Sequence, residues 1–114
     1  MVRKNELPAC PVAVTVSLIG SKWKLLILRD LTAKVCRFNE LKRSLVGVSH
    51  KMLAQSLREL ETDGIVSRTV FEGKVPHVEY ELTALGRSMD PILKAMAQWG
   101  EKYKKDNVLN MAKR

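Results

Sequence analysis

The apolar positions of this chain change their spacing at Asp63-Gly64, and that change limits the folds open to it. Before this point they recur at intervals of three and four, as on the buried side of helices: Val14, Leu18, Ile19, Trp23, Leu26, Ile27 and Leu31, then Phe38, Leu41 and Leu45, then Leu53, Leu57 and Leu60. After it the interval falls to two. Val78, Tyr80 and Leu82 alternate with Glu79, Glu81 and Thr83, the pattern of a half-buried strand, and residues 65–71 are rich in β-branched side chains. Glu72-Gly73-Lys74-Val75-Pro76 between them has turn chemistry, so the pair predicts a hairpin. The helical interval then returns through Leu85, Met89, Ile92, Leu93, Met96, Trp99 and Tyr103.

Breakers and caps divide the helical stretches. Gly20 ends a first helix, and Ser21 caps a second running to about Thr32. A short third helix, Arg37 to Leu45, closes at Val46-Gly47, and Ser49 caps a fourth that ends at Asp63-Gly64. Thr83 caps the last helix, which Pro91 should kink or restart with Ser88 or Asp90 as local cap. At 114 residues, one domain over 1–114 is expected. The class is mainly α with a small β-hairpin (α+β). A helix-turn-helix at about 37–62, a wing at about 65–83 and a terminal helix at about 84–105 make it a winged helix-turn-helix.

Charge narrows the function. Segment 21–61 carries nine bases against four acids, a net +5 of the chain's +8. Such clustering is the footprint of a polyanion binder, although a solvated basic surface looks the same on charge alone. The longest uncharged stretch, Leu7–Ser21, has fifteen residues and two prolines, short of the roughly 18 a membrane span needs. It also lacks a signal-peptide cleavage pattern, so the chain reads as cytoplasmic with no membrane partner. Cys10, Cys36, His50 and His77 lack metal-ligand spacing, and no nucleophile-elbow, phosphate-loop or dinucleotide motif occurs. No metal, cofactor or enzyme activity is expected.

At about 100° per residue, Leu53, Leu57 and Leu60 share one side of the fourth helix. The other side carries Lys51, Gln55, Arg58 and Thr62, with Met52 and Glu59 on its edge. A recognition helix touches bases mainly through its N-terminal half, here Ser49, His50, Lys51, Met52 and Gln55. Gln suits adenine, Lys suits guanine, and Met packs on a thymine methyl; Arg58 better fits phosphate. Lys74 and His77 of the wing, with Arg68 on its strand, are candidates for backbone or minor groove, a plain turn being the alternative for His77. Arg37 and Asn39 are placed for phosphate contacts, unless Asn39 is only a cap.

The residues also carry a resemblance. Cys10-Pro11-Val12, Leu18-Ile19-Gly20-Ser21-Lys22-Trp23-Lys24, Ile27-Leu28-Arg29-Asp30-Leu31 and Arg37-Phe38-Asn39-Glu40-Leu41 resemble the HxlR-type regulators, winged-helix relatives of the MarR class. So do Ser49-His50-Lys51-Met52-Leu53, Leu57-Arg58-Glu59-Leu60-Glu61, Asp63-Gly64, Val78-Glu79-Tyr80-Glu81-Leu82-Thr83 and Trp99-Gly100. The single Pro76 departs from the Pro-Pro pair of many members. The resemblance implies a homodimeric transcription factor on a near-palindromic double-stranded operator. The terminal helices would form the dimer, through Val14 and Leu18 and through Ile92, Met96, Trp99 and Tyr103, unless that stripe is intrachain core. It further implies Cys10 as a sensor of a small electrophile or oxidant, consistent with a thiol at a helix N-terminus near Arg3, Lys4 and Lys22; plain packing is the alternative. Cys36 reads as packing, with a resolving thiol as the alternative. The rival function is a winged-helix protein-interaction module without sequence-specific DNA binding.

Overall fold

A computed structural model describes residues 7–112, with side chains to residue 107. The elements run α1 (Pro11–Ile19), α2 (Lys22–Ala33), β1 (Cys36–Arg37), α3 (Phe38–Ser44), α4 (His50–Thr62), β2 (Val66–Phe71), β3 (His77–Leu82), α5 (Ala84–Arg87) and α6 (Asp90–Ala112). The arrangement is α+β, with one three-stranded antiparallel sheet in the order β1-β3-β2.

Local chemistry fixes most of the boundaries. Ser21 Oγ accepts from the Lys24 N–H and Ser49 Oγ from the Met52 N–H, each satisfying a donor that the first helical turn leaves free. Gly47 adopts φ +94°, a left-handed conformation that a side chain resists, and so turns the chain tightly from α3 into α4. Two expectations change here. Asn39 does not cap α3; the Glu40 carboxylate does, accepting the Arg37 N–H at 2.9 Å. Nor does Ser88 or Asp90 make a capping bond to α6: the Ser88 hydroxyl donates back to Leu85 O, and Asp90 pairs with Lys94 at 2.8 Å. The proline separates α5 from α6 as expected, and α6 runs seven residues past the expected end at 105.

The core is built by the first half of the chain and the wing. Ile27, Leu28, Leu41, Leu45, Leu53, Leu57, Leu60, Ile65 and Val66 are fully buried, joined by Tyr80, Leu82 and Met89. A salt bridge from Lys24 Nζ to Glu59 Oε2, 3.0 Å, holds α2 to α4 at the surface of this core. In the hairpin, Val66 faces Leu82, Arg68 faces Tyr80 and Phe71 faces His77. Strand β1, which the sequence did not announce, pairs Cys36 with Tyr80 and Arg37 with Glu79, and so ties the start of α3 to the wing. The radius of gyration, 16.6 Å, exceeds the roughly 13 Å of a compact chain of this length, because α6 extends away from the rest. Among the described residues, no single helix is long and apolar enough to cross a membrane.

Candidate nucleic-acid interface

Helix α4 buries Leu53, Ser56, Leu57 and Leu60 and turns Lys51, Met52, Gln55, Arg58, Glu59 and Thr62 outward. This follows from the helical period, since the two sets lie on opposite sides of the axis. Ser49 is exposed, but its Oγ is occupied as the cap of α4. The His50 ring rests on Phe38 at a centroid distance of 4.7 Å, inclined at 47°. It thereby braces the two helices of the helix-turn-helix against each other.

The wing stands beside this helix. Lys74 is exposed in the turn between β2 and β3. The His77 ring stacks on Phe71 at 4.8 Å, with Nδ1 3.1 Å from Val75 O and Nε2 2.9 Å from Glu79 Oε2, so both ring nitrogens are engaged within the wing. Arg68 lies on the sheet face turned toward α4, where it lines a recess of about 370 Å³ with Arg58, Glu61 and Tyr80. A second recess, about 520 Å³, opens between α3 and the wing, lined by Arg37, Asn39, Arg43, Pro76 and His77.

Pairing sorts the charges. Of the four acids in 21–61, three are consumed by neighbours: Glu59 by Lys24 (3.0 Å), Asp30 by Arg29 (3.0 Å) and Glu40 by Lys34 (2.7 Å). Lys34 and then the Arg37 N–H hold the Glu40 carboxyl below the usual carboxylate range, and Lys24 does the same for Glu59. No salt bridge engages Arg37, Lys42, Arg43, Lys51 or Arg58 among the described residues. Apart from Lys22, which lies over the Trp23 ring on α2, the unpaired bases of this segment therefore sit at the start of α3, along it and on the outer side of α4. There Glu61 is the one acid left beside Arg58, a distribution suited to phosphates. Arg43 was not singled out by the sequence; its signal is being left over once the acids have found partners.

The cysteines differ. Cys10 is exposed, in extended conformation at the N-terminus of α1. Cys36 is buried on strand β1 with Sγ 3.5 Å from Lys34 O, and desolvation, then Glu40, pushes its thiol up. Arg3 and Lys4, invoked as neighbours of Cys10, lie outside the described residues. Among the described residues no group of three or more His, Cys, Asp or Glu is placed to hold a metal.

Similarity to known proteins agrees with this geometry. A family model described as HxlR-like helix-turn-helix matches residues 18–108. YdeP, an uncharacterised HTH-type transcriptional regulator of Bacillus subtilis, is 42% identical over 100 residues, 88% of this chain and 78% of its own length. The redox regulator HypR superposes in its reduced form with a TM-score of 0.81 at 40% identity, covering 89% of this chain and 99% of that one. Its oxidised form gives 0.78 at 44%, covering 82% and 96%. A regulator of the MarR family from Enterococcus faecalis V583 gives 0.74 at 35%, covering 85% and 88%. The fold is thus a winged helix, and the chain belongs to the HxlR-like helix-turn-helix family, a transcriptional regulator rather than an enzyme.

Proposed function

We propose that this regulator acts in the cytoplasm as a homodimer on a near-palindromic operator, reading bases with Lys51, Met52 and Gln55. Arg37, Asn39, Arg43, Arg58, Arg68 and Lys74 meet the backbone, while Ser49, His50 and His77 hold helix and wing in position. The observation that carries the reading is the run of unpaired bases on α3 and α4, beside a wing that leaves the outer side of α4 open. Selection of duplexes from a random pool, followed by titration across salt, tests it. A recovered motif with dyad symmetry and a steep fall of log K with log salt are expected. Weak, salt-insensitive binding without a motif would favour the protein-interaction reading.

The dimer is supported by α6. Ile92, Met96, Trp99 and Tyr103 are 37%, 47%, 68% and 53% exposed, and the Trp99 and Tyr103 rings stack at 5.3 Å. A contiguous apolar face of this kind suits a partner better than water. On α1 the outward residues are Val12 and Val16, whereas Leu18 packs on the core and Val14 is half-buried. A two-fold pair would set two α4 helices about 34 Å apart, one turn of DNA. Sedimentation at micromolar concentration should then give twice the 12.9 kDa chain mass.

Redox control through Cys10 is favoured by its exposure at the edge of α1 and by the likeness to HypR, named a redox regulator. Oxidation or capping of that thiol beside a dimer seam would change how the subunits meet. Diamide should weaken or redirect operator binding by the wild type and leave Cys10→Ser unaffected. An equal response from both proteins would remove Cys10 as the sensor.

A further inference from the structure

Helix α6 leaves the rest of the fold with little side-chain support: among its described residues none is buried, and only Leu93 packs against the core. Besides its contact with α2, a run of hydrogen bonds connects it to the end of α4. The Ile65 N–H donates to Leu60 O at 2.9 Å, and Ile65 O accepts from the Thr83 N–H at 3.0 Å. Thr83 Oγ1 lies 2.6 Å from Gly64 O and 3.1 Å from Ile65 O, and it accepts from the Gly86 N–H at 3.1 Å. Gly86 O then accepts from the Met89 N–H (3.1 Å), and Met89 O from the N–H groups of Ile92 (3.0 Å) and Leu93 (3.2 Å). Gly86 is buried where a Cβ would collide with Ile65 O and lie 3.1 Å from Leu82 Cδ2, so the first turn of α5 presses directly on the backbone behind α4.

We infer that Thr83 and Gly86 are positioning residues that fix the angle between α4 and α6, and through it the separation of the two reading helices in a dimer. This rests on the dimeric, DNA-binding reading above. The hydroxyl of Thr83 is the pivot: it serves the carbonyls that follow α4 and the amide that begins α5 together. Its loss takes a partner from Gly64 O and from the Gly86 N–H, while Ile65 O keeps the Thr83 N–H and every residue facing DNA stays in place. Packed contacts and hydrogen-bond networks of this sort can carry coupling between two surfaces.

Thr83→Val keeps the side-chain shape and removes the hydroxyl, and Thr83→Ser restores it. Three duplexes serve as probes: the operator that the wild type selects from a random pool, the same operator with one base pair inserted between half-sites, and a single half-site. The insertion displaces one half-site by about 3.4 Å and rotates it by roughly 34°. Thr83→Val should remain dimeric and bind the single half-site within about twofold of wild type. It should bind the full operator about tenfold more weakly and lose most of its discrimination against the insertion, with Thr83→Ser close to wild type in both.

Wild-type affinity and discrimination in Thr83→Val would overturn the inference, as would an equal loss on half-site and full operator. If the wild type itself gains nothing from the second half-site, the dimeric reading fails first and takes this one with it. Hydrogen exchange on the unaltered protein is independent of whether the variant folds. The Ile65, Thr83 and Gly86 amides should be slowed together by the full operator and not by the half-site duplex. Equal protection by both would overturn the inference.

Discussion

The unit from α2 to β3 and the helix α6 obey opposite rules. In the first, apolar side chains meet one another: Leu53, Leu57 and Leu60 of α4 vanish beneath α2, α3 and the sheet, and the acids of 21–61 are mostly matched to nearby bases. In the second, Met96, Trp99 and Tyr103 stand in solvent on a helix of 23 residues that buries none of its described side chains. A monomer that satisfies itself in one region and leaves an aromatic face open in the other divides its labour. In the proposed dimer, the compact unit presents a chemical surface, and α6 sets how many such surfaces act together.

Substitutions that strike one region and spare the other separate these roles. Leu57→Ala, at a site 1% exposed, should cost about 2–5 kcal/mol of stability through lost burial and the cavity left behind, seen in denaturant melts. Trp99→Asp should leave the melt of the isolated monomer nearly unchanged. It should halve the mass in sedimentation and weaken operator binding about a hundredfold, as joint engagement of two half-sites is lost. A dimer that survives this change would place the interface elsewhere.

Lys51→Ala should cost about 1–3 kcal/mol on the selected duplex and much less on duplexes altered at the contacted base, measured by competition binding. Arg43→Ala should weaken all sequences alike and make the plot of log K against log salt shallower by about one.

The smallest effect concerns acid. The Glu40 carboxyl is held below its ordinary value by Lys34 and the Arg37 N–H, so its contribution to α3 is present above the unfolded value and is lost as pH falls through the folded one. Glu40→Gln should therefore be less stable than wild type near neutrality, with the difference in melting temperature closing below about pH 4. A gap that stays constant with pH would mean that the charge on Glu40 contributes nothing at this cap.

Much of this plan is legible in the sequence because it is written in local chemistry. Ser21, Ser49 and Thr83 cap their helices through their own hydroxyls, and the two-residue period after Asp63-Gly64 marks the hairpin. What escapes depends on partners distant along the chain. Strand β1 is two residues long and exists only because Tyr80 and Glu79 lie alongside it. Lys24 looks like any member of the basic cluster until the fold brings Glu59 to it. Arg68, read from the sequence as part of the wing, proves to face α4 and share a recess with Arg58, a matter of strand parity and sheet orientation rather than of composition. The double role of Thr83, closing the wing and opening α5, likewise appears only when residue 65 is beside it.

Where the duplex sits can be mapped amide by amide. Titrating the selected operator into isotopically labelled protein should move resonances across His50–Arg58, Arg37–Asn39 and the 72–77 turn. The buried Leu57 and Leu60 amides and the Trp99 and Tyr103 region should report only indirect change. Perturbations confined to α6, with Lys51 and Gln55 silent, would contradict the assignment of α4 as the reading surface.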